Sequence, residues 1–231
     1  MADNTNTNAA DATNADSADA EAAGAEASAA ANADAANADS ADAEAAGAEA
    51  SAMGAAPPAG SVPVTVMGTL AYPQAGIRIG TQWVWPNNPP ANSTWFVVVD
   101  LTYLQVVANV ASTSNSQVPS ALGPYIGNPG FLLIAVSMAW RFDQVPQGAL
   151  YSFLQSTGSG AALARAEQIY AQLGTGYFGN VGYILAATLD PSDGSGIEEL
   201  SHMSVIPIMT FSLMPVTVQG KTIYTPIRTW R

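Results

Sequence analysis

The chain has no cysteine and a single histidine, His202. The first absence removes disulfide staples, thiolate metal sites and thiol redox chemistry. The second removes most histidine-based metal sites and leaves one candidate base for a nucleophilic triad. His202 lies in Glu198-Glu199-Leu200-Ser201-His202 and reads as a surface or loop-capping residue. Basic residues are scarce as well: the six are Lys221 and five arginines, and none precedes Arg78. That is too few for a nucleic-acid face. No run approaches the roughly eighteen apolar residues of a membrane-spanning helix. The first thirty residues lack both a basic start and an apolar stretch. No secretory signal is visible, and the compartment is left open between the cytoplasm and export without a conventional signal.

What is present divides sharply. Eleven of the eighteen acidic residues precede Met53, which leaves seven acids against six basic residues in everything after it. The net charge of -12 is therefore mostly a property of residues 1–56. Between Met1 and Met53 that segment has no apolar side chain larger than a methyl group. Ordering a backbone residue costs about 1–2 kcal/mol, and nothing here can be buried to offset it. The segment reads as a disordered, solubilising spacer. Asn14 to Ala29 recurs unchanged at Asn37 to Ala52, but without the apolar stripe a stacking repeat needs.

Residues 57–231 turn to Val, Ile, Leu, Trp, Tyr, Pro and Gly, enough for one domain with its own core. Val62, Val64 and Val66 alternate with smaller or polar residues, which predicts a half-buried strand bordered by Pro63. Trp95 to Asp100 and Thr102 to Ala108 read as a hairpin turning near Asp100. Pro119 to Ile126 holds a helical turn, and Phe131 to Val136 is the clearest fully buried strand. A helix opening at Pro146 puts Leu150, Phe153 and Leu154 on one face. A second, Ala161 to Leu173, does so with Leu163, Ile169, Tyr170 and Leu173 and ends at Gly174. Val181 to Leu189, Val205 to Thr210, Leu213 to Val218 and Thr222 to Ile227 complete the expected strands. The fold class expected is α+β: a mainly antiparallel mixed sheet or sandwich with two short helices.

In order, Phe96-Val97-Val98-Val99-Asp100, Gln105-Val106-Val107, Leu132 to Val136, a helix ending in Gln172-Leu173-Gly174, and Tyr183-Ile184-Leu185-Ala186 form a pattern over residues 95–189. It resembles the ILEI/PANDER-like domain. The resemblance implies a compact β-β-α fold, found in secreted cytokine-like proteins and as stem or accessory modules of glycan-processing proteins. This chain lacks the cysteines of the animal members.

Motifs for chemistry are thin. Gly174-Thr175-Gly176-Tyr177-Phe178-Gly179 spells a phosphate-loop string, but it follows a helix and precedes a strand, the reverse of what phosphate binding needs. Gly158-Ser159-Gly160 lacks the spacing of a nucleophile elbow. Asp190 to Gly196 reads as a solvated turn rather than a calcium loop, and Asp143 with Asp190 is the least implausible carboxylate pair.

Aromatic residues beside amides carry more. Tyr72, Trp83, Trp85 and Trp95 surround Pro86-Asn87-Asn88-Pro89-Pro90-Ala91-Asn92-Ser93-Thr94. These tryptophans read either as buried residues at strand ends or, with Trp83 and Trp85 alternating on one face, as a stacking platform with Asn87, Asn88 and Asn92 as hydrogen-bond partners. Sugar rings stack by their C–H faces and need directional partners for their hydroxyls. Trp140, Arg141 and Asp143 offer a second such cluster. The sequence thus reads as a non-enzymatic interaction module without cofactor or metal, with a possible glycan ligand. The alternative is a self-assembling subunit of a particle, filament or coat, since apolar strands with few edge charges favour a homo-oligomer.

Overall fold

The computed structural model describes residues 60–69, 75–141, 144–173, 180–190, 196–202 and 205–228. The acidic segment 1–56, the glycine string at 174–179, Asp143 and most of the 190–196 turn lie outside these residues. In chain order the strands are β1 (Val62–Met67), β2 (Gly76–Ile79), β3 (Gln82–Val84), β4 (Ser93–Asp100), β5 (Gln105–Ser112), β6 (Asn128–Met138), β7 (Trp140–Arg141), β8 (Asn180–Leu189), β9 (Ile197–His202), β10 (Ile208–Val218) and β11 (Lys221–Arg228). A 3-10 turn spans Ser120–Tyr125, and α1 (Gly148–Ser156) and α2 (Ala161–Leu173) lie between β7 and β8.

The strands form two sheets. One runs β11-β10-β1-β2-β3; in the other, β5, β4, β6 and β8 follow one another, β9 pairs with β8, and β7 continues β6 beyond Ala139. Among the described residues every strand pairing is antiparallel, so the mainly antiparallel arrangement expected is observed, as two antiparallel sheets rather than one mixed sheet; the parallel contact seen is the isolated bridge between Thr69 and Met138. Alternation explains the layering. Val64 and Val66 of β1, Ile77 of β2 and Phe211 and Leu213 of β10 meet Trp95, Val97 and Val99 of β4, with Ile134 and Val136 of β6, in one core. The intervening residues of the second sheet, Phe96, Val98, Leu133, Ala135 and Leu185, form another core with Leu150, Leu154 and Leu163 of the helices. Both faces of β4 and β6 are thus buried, which is why those stretches read as continuous apolar runs. The first sheet has one face in the core and shows apolar-polar alternation instead.

Local chemistry moved several boundaries. The β4–β5 hairpin forms, but Leu101 to Leu104 belong to its turn. Asp100 Oδ1 accepts the backbone N–H of Thr102 at 2.6 Å and of Tyr103 at 3.1 Å, and Leu104 has φ +57°. An Asp at that place stabilises a turn in competition with the ladder. The strands expected at Val205 to Thr210 and Leu213 to Val218 merge into a single strand, β10, which starts at Ile208 and leaves Val205 to Pro207 outside it. Pro215 is tolerated because β1 has ended at the Val62–Leu213 pair, leaving β11 as the neighbour there. Helix α1 begins at Gly148, two residues after Pro146, and buries Leu150, Phe153 and Leu154. In α2 Leu163 is buried and Ile169 partly so; the Tyr170 and Leu173 side chains are outside the described set.

Candidate functional site

The β2–β3 hairpin reverses at Gly80 and Thr81, and Gly80 takes φ +59°, as the first central residue of a tight hairpin turn requires. Its register places Arg78 opposite Trp83 and Ile77 opposite Val84. Ile77 is buried in the core and Val84 packs against it, so Arg78 and Trp83 point away from the core. Trp85 follows on the same face. The two indoles stack with centroids 4.9 Å apart and planes at 10°, and they remain 47% and 54% exposed.

Two features hold the stack. A Cβ at Gly76 would stand 2.8 Å from Cζ3 of Trp85 and 3.3 Å from Cζ3 of Trp83, so the rings rest on bare backbone. Asn109 of β5 ties the hairpin to the second sheet: its Nδ2 donates to the Trp85 carbonyl at 3.1 Å and its Oδ1 accepts the Trp95 indole N–H at 2.7 Å. Arg78 completes the face. Its Nε donates to the Gly80 carbonyl at 3.0 Å, and its guanidinium carbon lies 5.9 Å from the Trp83 ring centroid. That distance is the outer limit of a cation–π contact, so the cation borders the ring rather than covering it.

The amides fare differently. Asn87 and Asn88 are exposed in the loop just after Trp85. Asn88 has φ +45° and donates its N–H to the Pro86 carbonyl at 3.1 Å. Asn92 is half-buried with φ +59°, and its N–H bonds the Met138 carbonyl at 2.9 Å, so its backbone starts β4. Asn87 and Asn88 therefore stay with the tryptophans in sequence and exposure, while Asn92 serves the strand entry.

The second cluster does not form a platform. Trp140 is buried, stacks on Tyr183 at 5.6 Å with planes at 15°, and donates its indole N–H to the Ser93 carbonyl at 2.9 Å. It is a core residue of the helix-covered layer, where no ligand can reach its face. Arg141 is exposed and paired in the ladder with Asn180, and Asp143 lies outside the described residues.

A polar cluster that sequence reading missed lies under α2. Glu198 Oε1 accepts the Tyr183 hydroxyl at 2.7 Å and the Ser159 hydroxyl at 2.8 Å, and Oε2 accepts the Ala162 N–H in the first turn of α2 at 3.1 Å. The two hydroxyls are 2.9 Å apart. Burial, and then the Glu198 charge, push the Tyr183 phenol well above its usual range. A serine, a phenol and a carboxylate are chemical groups, yet Ser159 is 7% exposed and the carboxylate already satisfies three donors. Their evident work is to fasten β9 to the start of α2 and to satisfy one of its orphan N–H groups. Ser159 just before an apolar helical run was a readable signal; its partner thirty-nine residues on was not.

Among the described residues no group of three or more His, Asp or Glu side chains is placed to hold a metal ion, and no helix is long and apolar enough to cross a membrane. No protein-family model matches the chain, and no curated protein matches it in sequence.

Proposed function

We propose that this protein is a non-enzymatic interaction module that binds carbohydrate on the outer face of its five-stranded sheet. The observation that carries the reading is the Trp83–Trp85 stack, half exposed yet held in place by Gly76 and Asn109. Each indole offers about 150–250 Å² of surface, so leaving half of both in water forgoes about 5 kcal/mol of burial. A fold that supports such rings from beneath keeps them available to a partner. Sugars suit them, because a pyranose C–H face covers an indole while its hydroxyls reach amides such as Asn87 and Asn88. The likeness of residues 95–189 to the ILEI/PANDER-like domain is in keeping with a binding module of this kind.

The test is a saccharide array followed by titration calorimetry on the full chain. Binding should be lost in Trp83→Ala and in Trp85→Ala, with thermal midpoints close to that of the parent. An empty array, or variants that bind as well as the parent, would refute the reading.

A second reading is a self-assembling subunit. Ile208, Met214, Val216 and Val218 of β10 and Ile227 of β11 are exposed, and apolar area of this kind marks association surfaces. Light scattering separates the two: assembly that grows with concentration without any saccharide, and that Val216→Lys reverses, favours the subunit.

A further inference from the structure

Charge is unevenly shared between the two sheets. The strands of the five-stranded sheet contain Arg78, Lys221 and Arg228 and no Asp or Glu, whereas Asp100, Glu198 and Glu199 all lie in the strands of the other sheet. The three cations are not equivalent. Arg228 lies 3.9 Å from Glu199, and Lys221 stands at the far tip of the β10–β11 hairpin, next to Gly220. Arg78 alone borders the tryptophan stack. Its Nε–H is engaged by the Gly80 carbonyl, which leaves the end edge formed by Nη1 and Nη2 for a partner. Among the described residues no carboxylate lies within ion-pair distance of it. A guanidinium held by one edge presents the fork that pairs with two oxygens of one oxyanion through two parallel hydrogen bonds.

Resting on the carbohydrate reading above, we infer that the preferred ligand is an acidic saccharide, its ring stacked on the Trp83–Trp85 face and its carboxylate or sulfate paired with Arg78. The stack supplies affinity that is indifferent to ring charge. Arg78 supplies the choice, because a neutral sugar leaves the guanidinium to water while an anionic one exchanges that water for a charge-assisted pair.

The experiment titrates the full chain, at about 0.15 M salt where the acidic segment is screened beyond roughly 8 Å, with three oligosaccharides of one backbone: neutral, uronate-bearing and sulfated. The anionic ligands should bind at least tenfold more tightly than the neutral one. Arg78→Gln should erase that difference, bringing the anionic ligands down to the affinity of the neutral one, and Arg78→Lys should restore only part of it. Preference for the uronate over the sulfate, or the reverse, identifies the anion. Equal binding of all three, or a preference that survives in Arg78→Gln, overturns the assignment to Arg78 while the tryptophan platform stands. Absence of binding to any of them, with the parent chain folded by circular dichroism, overturns both.

Discussion

Gly76 and Trp85 are matched in shape. The indole occupies the space a side chain at position 76 would need, since a Cβ there would lie 2.8 Å from the ring. Both tryptophans lean on that one residue, and Gly76→Ala should push both outward. The expected result is a weakened near-ultraviolet circular dichroism signal from the stacked indoles and at least tenfold weaker saccharide binding. The thermal midpoint should move by no more than about 4 °C, the equivalent of roughly 1 kcal/mol or less for a domain of this size. Unchanged dichroism and binding would show that the stack does not depend on the glycine.

The tryptophans at 83 and 140 should respond in opposite ways. Trp140 is buried against Tyr183 with its N–H bonded to Ser93, so Trp140→Ala should cost about 3–5 kcal/mol. Trp83→Ala removes a half-exposed ring and should cost about 1 kcal/mol or less. Urea melts of the two variants compare the costs, and equal losses would contradict the placement of one ring in the core and the other on the face.

Tyr183 predicts an alkaline limit on stability. Folding holds its phenol protonated well above the ordinary value of 10.0, by burial and by the Glu198 charge. Above a pH of about 10 the unfolded chain releases a proton that the folded chain keeps, so stability that is complete below that point declines as pH rises further. Tyr183→Phe should lower the midpoint at pH 7, because Ser159 and Glu198 lose a partner, and should make the alkaline decline shallower. Thermal melts from about pH 8 to 11 measure both effects; an equally steep decline in the variant would locate its cause elsewhere.

The acidic segment should be dispensable for folding. Its composition offers nothing to bury, so a chain beginning at Ala55 should keep its thermal midpoint within about 2 °C of the parent. A larger fall, read by calorimetry, would mean that the segment packs on the domain.

The sequence by itself determined the parts of the fold that repeat with a clear period. Val62, Val64 and Val66 announced one buried face, Phe131 to Val136 announced two, and the spacing of Leu150, Phe153 and Leu154 announced a helix lying on a core. Alternation put Trp83 and Trp85 on one face, but β3 ends at Val84, so the stack itself is decided by the packing of both rings on Gly76. Strands β2 and β3, of four and three residues, are too short to carry a period, and they exist because β1 offers a ladder to β2 and β2 one to β3. Strand β9 was hidden because Glu198 and Glu199 look like solvent residues, whereas Glu198 finds its donors in Ser159, Tyr183 and Ala162. Only the tertiary structure could separate Trp83 from Trp140, which are equally apolar and equally flanked by polar residues. Burial depends on what covers a strand: helices and β8 cover Trp140, while among the described residues the face that carries Trp83 stays open.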